Sequence, residues 1–589
     1  MKQFFKFMFA SMAGFSLTLI ILFFIFAAMM ASLMTFSKKT EVTVKPNTVL
    51  YLTLKESIPE RTLANPFSFG GPNFFSTSNV PGILETIEVI EKAAEDDNIK
   101  GIYMEMSEVP SGLATLEEIR NALLKFKESG KFIIAYGEVY SQKAYYMSTV
   151  ADIITLNPEG GIDFRGMSGE LVFYKGLLNK LDINAQIIRH GKYKSAIEPF
   201  INDKMSEANR EQTLAYFNSL WQHLTAGISE TRGIDPARLQ VIADSLLVQT
   251  PEDALNYHFV DQVIYKDQLN DLLRGKLGIG ENDKIELITP GKYKDVAAKT
   301  SKKRAKDKVA VIYAVGSIND GEGSDESIGS ERISKAIRKA RTDSTVKAIV
   351  FRVNSPGGSA LASDVILREI KLAHEVKPVV VSMGDYAASG GYYISCAADT
   401  ILAQPTTLTG SIGVFGVIPD FSKFFNNKLG VTFDVAKTNK HADYMSVTKP
   451  LDPYAEKVIT NSVERIYATF IGHVADGRSM TVAQVDSIGQ GRVWSGTDGV
   501  KTGLVDKTGG LKDAIAIAAR MAGLDDYRIT SLPEQKDPFT QIMEELSGKP
   551  SETRMKKEFG QLYPYIKEMR SAAEMTGIQA RLPFFLNIH

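Results

Sequence analysis

The sequence predicts an α/β protein that contains two tandem copies of one domain, preceded by a single transmembrane helix. Three observations lead to this fold class. The chain opens with a long uncharged apolar stretch, a later stretch repeats an earlier one at constant spacing, and both alternate β-branched runs with helical patterns. At 589 residues the chain is also too long for one hydrophobic core, since single cores stop growing beyond roughly 250–300 residues.

The N-terminal stretch has the length and composition of a membrane span. Residues 7–36 contain no charged side chain, and about 20 apolar residues suffice to cross the hydrocarbon core of a bilayer. A cleavable signal peptide has a shorter apolar region of about 7–15 residues, so the pattern favours an uncleaved anchor. Lys2 and Lys6 precede the stretch and Lys38 and Lys39 follow it. Positive charge therefore gives little indication of its orientation.

The remainder of the chain is an internal duplication. Residues 99–166 align without a gap on residues 346–413, at a constant offset of 247. AYYMSTVADIITLNP in the first copy, for example, matches GYYISCAADTILAQP in the second. A repeat of this length indicates two structural units of one kind. The sequence therefore predicts an anchor at 1–45, a first copy at 46–300, a second copy at 301–530 and a C-terminal segment of open role at 531–589.

Each copy has the pattern of α/β units around a parallel sheet. In the second copy, β-branched apolar runs predict buried parallel strands, at residues 309–315, 348–353, 379–384 and 400–405. Between them, SDVILREIKLAHEV (363–376) has apolar residues at helical spacing and ends before Pro378. The basic stretch SKKRAKDK (301–308) is typical of a solvated linker between copies.

Composition excludes several kinds of function. The net charge is −1, so no excess of basic residues points to a nucleic-acid partner. Cys396 is the only cysteine, which excludes an intramolecular disulfide and a cysteine-built zinc site. We expect neither a metal nor a cofactor.

Small residues and glycines follow three successive strands of the second copy, where open α/β sheets place their ligands. The loops are NSPGGSA (354–360), GDYAASGGYY (384–393) and TGSIGV (409–414). Gly357 and Gly358 can present backbone N–H groups to an anion, or simply form a tight turn. Ser411 is either a turn residue or a nucleophile. The first copy has Phe164 in place of Ser411, so only the second copy has a catalytic pattern.

A serine nucleophile needs a base, and the seven histidines form no recognisable triad arrangement. Lys194 lies in the apolar sequence HGKYKSAIEPF of the first copy. It is either a desolvated amine that can act as a base or a lysine that snorkels from a helix. The offset places His441 opposite Lys194 in the second copy. A Ser411–Lys194 pair would thus require the two copies to share one site.

The chain resembles bacterial signal peptide peptidase A of the long, two-repeat type, a membrane-anchored Ser/Lys protease. The matching stretches are GKYKSAIEPF, NSPGGSALASD, DYAASGGYYISCAAD, TLTGSIGVFG and GRVWSGTDGVKTGLVD. The resemblance implies a Clp/crotonase-like α/β fold, Ser411 as nucleophile and Lys194 as general base. It also implies an oxyanion hole of backbone N–H groups near Gly357 and Gly358.

The same resemblance implies partners and location. It implies a dome-like homotetramer, anchored by one span in the inner membrane, with its catalytic body on the periplasmic or extracytoplasmic side. The substrates would be short apolar peptides such as cleaved signal peptides. Ser389 occupies the place of the Clp-type nucleophile, but no histidine lies between it and His441. We therefore expect Ser389 to be a packing residue near the site.

Two other functions remain open from the residues alone. The first is a crotonase-like acyl-CoA enzyme, because paired oxyanion donors also stabilise enolates. That function leaves Lys194 and the anchor without a purpose. The second is a non-catalytic membrane scaffold in which both copies are inactive. Fold analogy by itself does not decide between an enzyme and a scaffold.

Overall fold

The structure is a computed structural model that describes residues 2–36, 43–62, 80–296, 305–535 and 578–582. Helix α1 (Lys2–Phe36) is long and apolar, as the sequence predicts. Its part from Lys2 to Ile25 has a mean hydropathy of 2.3 and buries none of its surface against the rest of the chain. This one N-terminal helix is consistent with a membrane anchor. Much of the predicted linker (301–308) and of the C-terminal segment lies outside the described residues.

The first copy forms a six-stranded parallel sheet in the order β6-β4-β3-β2-β1-β7. Its elements are β1 (Thr48–Thr53), α2 (Ile83–Glu95), β2 (Ile99–Glu105), α3 (Leu113–Lys127), β3 (Phe132–Tyr140), α4 (Gln142–Ser148), β4 (Ile153–Ile162), α5 (Lys175–Lys180), β5 (Asn184–His190), α6 (Glu198–Ile201), α7 (Glu207–Arg232), α8 (Pro236–Asp244), α9 (Pro251–Asn256), β6 (Gln262–Val263), α10 (Lys266–Leu277), β7 (Leu287–Ile288) and α11 (Pro290–Tyr293).

The second copy forms a similar sheet around the order β17-β15-β13-β11-β8-β19, with β14 and β18 beside β13. Its elements are β8 (Lys308–Val315), β9 (Ser317–Asn319), β10 (Ser327–Gly329), α12 (Ser330–Thr342), β11 (Val346–Ser355), β12 (Gly357–Ser359), α13 (Ala360–His374), β13 (Val379–Ala388), α14 (Gly390–Tyr393), β14 (Thr400–Ala403), β15 (Leu408–Gly410), β16 (Val414–Asp420), α15 (Pro453–Arg478), α16 (Val482–Ile488), β17 (Val493–Ser495), α17 (Gly496–Thr502), β18 (Lys507–Thr508), α18 (Leu511–Met521), β19 (Arg528–Leu532) and, near the C-terminus, β20 (Ile578–Arg581).

The two copies repeat each other element by element, which confirms the predicted duplication. Helices α2 and α3 are offset by 247 residues from α12 and α13. The four strands predicted in the second copy are present as β8, β11, β13 and β14, and the predicted helix is α13. The long helices α7 and α15 also correspond, with 26 residues each. The tandem α/β fold class is therefore confirmed.

A third sheet joins the copies, in the order β10-β9-β12-β20-β16-β5. Its strand β5 comes from the first copy and pairs antiparallel with β16 of the second over seven residue pairs, from Asn184–Asp420 to His190–Val414. This pairing brings the residues that follow β5 to the carboxyl ends of the second copy's strands.

Buried polar contacts also hold the copies together. Arg352 on β11 is fully buried and forms ion pairs with Glu60 (2.6 Å) and Glu118 (2.8 Å) of the first copy. Asp385 on β13 accepts hydrogen bonds from the backbone N–H groups of Ala114 and Thr115, at 3.0 and 3.1 Å. It thereby caps helix α3, whose own N-cap residue is a glycine. The relative position of the copies is thus fixed by directional contacts in addition to apolar packing.

We expect Arg352→Met to destabilise the protein by about 3–5 kcal/mol, because it leaves two buried carboxylates without their cation. Chemical denaturation of the purified protein in detergent measures this loss. Arg165→Met is the control, since Arg165 pairs with Asp163 at the exposed surface, where such pairs contribute about 0–1 kcal/mol. Equal free energies of unfolding for the two variants would contradict the interpretation.

Candidate active site

Lys194 is carried on a loop of the first copy that the second copy holds in place. The Tyr193 N–H donates to the carbonyl of Gln490 at 2.8 Å, and a short 3-10 helix (Ser195–Ile197) begins directly after Lys194. Gln212 on α7 is fully buried, and its amide group donates to the Tyr193 carbonyl and to Ser195 Oγ at 2.9 and 2.8 Å. Its amide oxygen accepts from the Val493 N–H at 3.2 Å. Gln212 therefore ties the lysine loop to strand β17.

Glycines of the second copy provide the space for Lys194. A Cβ atom on Gly491 would lie 2.6 Å from the Lys194 backbone nitrogen, and one on Gly413 would lie 3.2 Å from Lys194 Cδ. Gly491 also has φ of +80°, a conformation that favours glycine. The positions of Gly491 in GRVWSG and Gly413 in TGSIGV therefore favour glycine because a side chain at either position would crowd Lys194 of the first copy.

The Lys194 ammonium is fully buried and contacts two serines of the second copy. Nζ lies 2.8 Å from Ser389 Oγ, 3.0 Å from Ser411 Oγ and 3.1 Å from the Ser411 carbonyl. Burial lowers the pKa of Lys194 well below its ordinary value of 10.5, because the charged form loses its hydration. The amine is thereby shifted towards the neutral form that a general base requires.

Ser389 stands at the sharp turn between strand β13 and helix α14. Its φ and ψ are +56° and −113°, values that a non-glycine residue adopts only under strain. A strained strand-to-helix turn is also the position of the nucleophile in α/β hydrolases. The two glycines that follow allow close packing, since a Cβ on Gly391 would lie 2.7 Å from the Ser355 carbonyl oxygen. The sequence predicts Ser389 to be a packing residue near the site, and the structure places its hydroxyl within hydrogen-bond distance of Lys194.

Ser411 lies in the turn after β15, beside Ser389. Its φ is +50°, and its N–H donates to the Arg492 carbonyl at 2.6 Å. The Ser389 N–H donates in turn to the carbonyl of Gly410, at 2.7 Å. This backbone bond holds the two serine turns together, with both hydroxyls on the same amine.

The loop of Gly357 and Gly358 adjoins the Ser389 turn. A Cβ on Gly357 would lie only 2.7 Å from the Gly390 nitrogen, and Gly357 has φ of +94°. The two glycines differ in their partners, because the Gly357 N–H donates to Ser355 Oγ of its own loop at 3.1 Å, whereas Gly358 pairs with Ala580 of the separate strand β20. Gly358 is therefore the better candidate of the two for an oxyanion donor.

The first copy has lost the corresponding groups. Phe164 stands where the second copy has Ser411, and its ring packs against Tyr145, Phe259 and Trp221. Gln142 stands where the second copy has Ser389. Its side-chain oxygen accepts from the Gly166 N–H at 3.1 Å.

His441, the counterpart of Lys194 in the second copy, makes other contacts. Its Nδ1 is 3.7 Å from a carboxylate oxygen of Asp452, and its ring packs on Tyr454. The structure thus brings Lys194 to Ser411 and places two further side chains against the lysine loop: Ser389, which the sequence predicts near the site, and Gln212, which it does not. The position of Ser389 at a turn from strand to helix could have been predicted from AASGG. Gln212 could not have been singled out, because the sequence of helix α7 contains many polar residues.

A buried amine between two serine hydroxyls, beside glycine N–H groups, is an arrangement that suits a serine hydrolase. The model of peptidase family S49 matches residues 125–280 and 371–525, one stretch in each copy. Protease 4 from Salmonella typhi is 38% identical over 475 residues, which cover 79% of this chain and 76% of that protein. Serine protease SPPA, chloroplastic, from Arabidopsis thaliana is 32% identical over 511 residues, 86% of this chain and 74% of that protein. Among solved structures, ClpP1 from Listeria monocytogenes is 18% identical, with a TM-score of 0.23, over 35% of this chain and 94% of that one.

The chain belongs to peptidase family S49. Together with the apolar helix α1, this assignment identifies a membrane-associated serine protease. It confirms the resemblance to the long, two-repeat type, because the family model matches both copies. A crotonase-like acyl-CoA enzyme and a non-catalytic scaffold are not favoured, since the matched family and relatives are peptidases.

The lowered pKa of Lys194 predicts a pH dependence of stability. At each pH between the lowered value and 10.5, the unfolded chain binds a proton at Lys194 that the folded chain lacks. The free energy of unfolding of the wild type should therefore rise relative to that of Lys194→Met as the pH is raised from 7 towards 10.5. Urea unfolding in detergent at several pH values measures the difference. Lys192→Met, at an exposed position of the same loop, should parallel the wild type, and parallel curves for Lys194→Met would contradict the prediction.

Proposed function

We propose that this protein hydrolyses peptide bonds with Lys194 as general base and Ser389 as nucleophile, and that Ser411 holds the lysine in place. The observation that carries the proposal is the buried Lys194 amine, 2.8 Å from the Ser389 hydroxyl and held on its other side by Ser411. Ser411 as nucleophile, the assignment made from the sequence, is the competing proposal.

The hydrogen-bonding capacity of a neutral amine supports Ser389. Such an amine has two N–H groups and one lone pair. The Ser411 carbonyl can only accept, so it takes one N–H, and the Ser411 hydroxyl oxygen beside it can accept the other. The lone pair then faces the Ser389 hydroxyl, which donates its proton to it. In this arrangement Ser411 orients the base and Ser389 is activated.

The position of the oxyanion donors supports the same assignment. The glycine loop adjoins Gly390, the residue directly after Ser389. A carbonyl attacked by Ser389 Oγ would therefore lie next to the N–H of Gly358. Backbone donors placed where the oxyanion develops typically contribute about 3–4 kcal/mol each to the stabilisation of the transition state.

The reaction then runs in two steps. Lys194 takes the proton of Ser389 as Oγ attacks the peptide carbonyl, and gives it to the leaving amine as the acyl-enzyme forms. Water, deprotonated by the same amine, hydrolyses the ester and releases the second product. The site consists of side chains that are buried in the folded chain, which limits competing access of bulk solvent.

The substrates we propose are short, unfolded, apolar peptides such as signal peptide remnants. The apolar helix α1 keeps the site beside the bilayer, where such peptides are concentrated. Strands β12 and β16 hold the extended strand β20 between them by antiparallel pairing, and an extended peptide would pair with the same backbone groups. By resemblance to the family, we place the anchor in the inner membrane and the catalytic body on the periplasmic or extracytoplasmic side.

We further propose that the chain assembles as a homotetramer. Within one chain, β5 of the first copy pairs with β16 of the second. The repeat counterparts of these strands, residues 167–173 and 431–437, are both described but form no strand here. Residues 431–437 expose alternate apolar side chains, Val431, Phe433 and Val435, at 43%, 48% and 49%. Pairing of 431–437 with 167–173 of a neighbouring chain would repeat the internal contact head to tail and close a ring, and the family resemblance supports four chains.

The catalytic assignment predicts two different losses of activity on a leucine- and alanine-rich peptide. Ser389→Ala and Lys194→Ala should each lower kcat/KM by at least about 10⁴-fold, and the double variant should be no worse, because they act as one unit. Ser411→Ala should cost only about 10- to 100-fold, the loss of one hydrogen bond to a group that becomes charged. Ser395→Ala, which removes a buried hydroxyl bound to the Gly391 carbonyl, should leave kcat/KM unchanged.

A covalent label decides between the two serines. A fluorophosphonate probe, followed by peptide mass mapping, should modify Ser389 in the wild type and in Ser411→Ala. An adduct on Ser411 would overturn the assignment of Ser389 and restore the one made from the sequence. Full labelling of the Lys194→Ala variant would remove the lysine from the mechanism.

The assembly predicts that Phe433→Asp lowers the molar mass of the protein in detergent, because a charge at the centre of the apolar face opposes pairing between chains. Light scattering coupled to size exclusion measures the mass. Val376→Asp, at an apolar position exposed by 61% on another surface, is the control and should keep the wild-type mass. A wild type that elutes as a single chain would refute the tetramer.

A further inference from the structure

Arg492 lies where the Ser411 turn of the second copy meets the lysine loop of the first. Its backbone carbonyl accepts the Ser411 N–H at 2.6 Å, and the N–H of the preceding Gly491 donates to the Ile412 carbonyl at 2.7 Å. These two bonds continue the antiparallel pairing of β15 with β17, which ends at Gly410. The backbone of residues 491 and 492 therefore holds the Ser411 turn in place.

The side chain of Arg492 reaches the first copy. Its Nη1 donates to the Tyr193 hydroxyl at 3.3 Å and lies 3.2 Å from a carboxylate oxygen of Glu211 on helix α7. The Tyr193 hydroxyl is itself 3.2 Å from both oxygens of Glu211, so it can donate to the carboxylate while it accepts from the guanidinium. Tyr193 directly precedes Lys194 in the chain. One residue thus contacts both the Ser411 turn and the lysine loop.

Two aromatic rings limit the movement of the guanidinium. Its Cζ lies 4.8 Å from the ring centroid of Tyr193 and 4.7 Å from that of Trp494, within the range of cation–π attraction. The indole N–H of Trp494 donates to the Ile488 carbonyl at 2.9 Å, which fixes that ring. A planar guanidinium can stack on such rings and still donate hydrogen bonds from its edge. The position of Arg492 is therefore set by contacts on several sides.

The first copy has no cation at the equivalent position. Its stretch LLVQTPEDALNYHFVD (246–261) aligns without a gap on GRVWSGTDGVKTGLVD (491–506). Each stretch contains one short helix with a side-chain N-cap, α9 and α17 respectively. Arg492 falls on Leu247, which packs against the core of the first copy. The shared scaffold therefore does not require an arginine here, and the arginine occurs only in the copy that carries the serines.

We infer that Arg492 is a positioning residue for the base of this enzyme: its backbone fixes the Ser411 turn, its guanidinium fixes Tyr193, and together they set the distance between the Lys194 amine and the serine hydroxyls. This inference rests on the proposed function, because it takes Lys194 as the general base. It holds for either serine as nucleophile, since both hydroxyls contact the same amine.

The pKa of Lys194 reports on this positioning. Burial is the cause of its lowered pKa, and no charged group among the described residues contributes to the shift. The groups that face the amine are the hydroxyls of Ser389 and Ser411, the Ser411 carbonyl and, at 6.0 Å, the ring of Phe415. Without the guanidinium the lysine loop can move outward and admit water to the amine. Hydration would raise the pKa of Lys194 towards its ordinary value.

The pH profile of kcat/KM on a leucine- and alanine-rich peptide tests the inference. Arg492→Met should move the acid limb upward by about one pH unit, which lowers kcat/KM about tenfold below the limb. Tyr193→Phe keeps the ring and the charge but loses the hydroxyl, and should shift the limb in the same direction. The double variant should shift it no further than Arg492→Met, because the two groups share one contact.

Arg520→Met, at an exposed position of helix α18, is the matched control and should keep the wild-type profile. An equal loss of kcat/KM at every pH in Arg492→Met would indicate a purely structural role and overturn the inference. Additive shifts in the double variant would also overturn it, because they would show that the guanidinium and the Tyr193 hydroxyl act separately.

Urea unfolding in detergent tests the same point without activity. The free energy of unfolding of each protein is compared with that of its Lys194→Met variant between pH 5 and 10. The difference should rise less with pH in the Arg492→Met background than in the wild type, because the pKa of Lys194 is then closer to 10.5. Equal rises would refute the inference and leave the proposed function standing. A wild type that fails to hydrolyse the peptide would refute the proposed function, and the unfolding data would still show whether Arg492 controls the surroundings of Lys194.

Discussion

The antiparallel pairing of β5 with β16 is the contact on which the site depends. On the proposed mechanism neither copy holds a complete set of reacting groups, because Lys194 follows β5 in the first copy and both serines belong to the second. Seven residue pairs fix the register of the two strands, and a slip by one residue would turn every side chain to the opposite face. Arg352, Asp385 and Gln212 then restrict the remaining freedom between the copies through buried polar contacts.

Burial of Lys194 disfavours its charged form and, on the proposed mechanism, makes the amine available as a base. A charged amine in a water-excluded position is unfavourable, so folding shifts Lys194 towards its neutral form. In the described residues no carboxylate contributes to its pKa shift, which has burial as its cause. The neighbouring groups are hydroxyls and a carbonyl, which orient the amine without stabilising its charge as strongly as an acid would. This contrasts with Arg352, whose buried charge is compensated by two glutamates.

The sequence predicted the duplication, the strands of the second copy and the apolar N-terminal helix, because each has a signature along the chain: a constant offset, a β-branched run or a long apolar stretch. The burial of Lys194 was indicated by its apolar neighbours in the sequence. The contact between Ser389 and Lys194 could not be predicted, because the conformation of Ser389 and its distance from Lys194 depend on the three-dimensional fold. A sequence shows neither a φ of +56° nor the bond between Ser389 N–H and the Gly410 carbonyl that brings two turns together. The pairing of β20 with β12 and β16 could not be predicted either, because the sequence of a short strand does not indicate which strand it pairs with.

The division of the site between two copies also has a consequence for the order of events during synthesis. Lys194 precedes Ser389 by 195 residues, so a ribosome that adds about 5–20 residues per second incorporates Lys194 some 10–40 s before it incorporates Ser389. Throughout that interval the nascent chain contains the base without its partner hydroxyl. On the proposed mechanism, proteolytic capacity appears only after the second copy has folded against the first, and the newly synthesised chain needs no propeptide to remain inert until then.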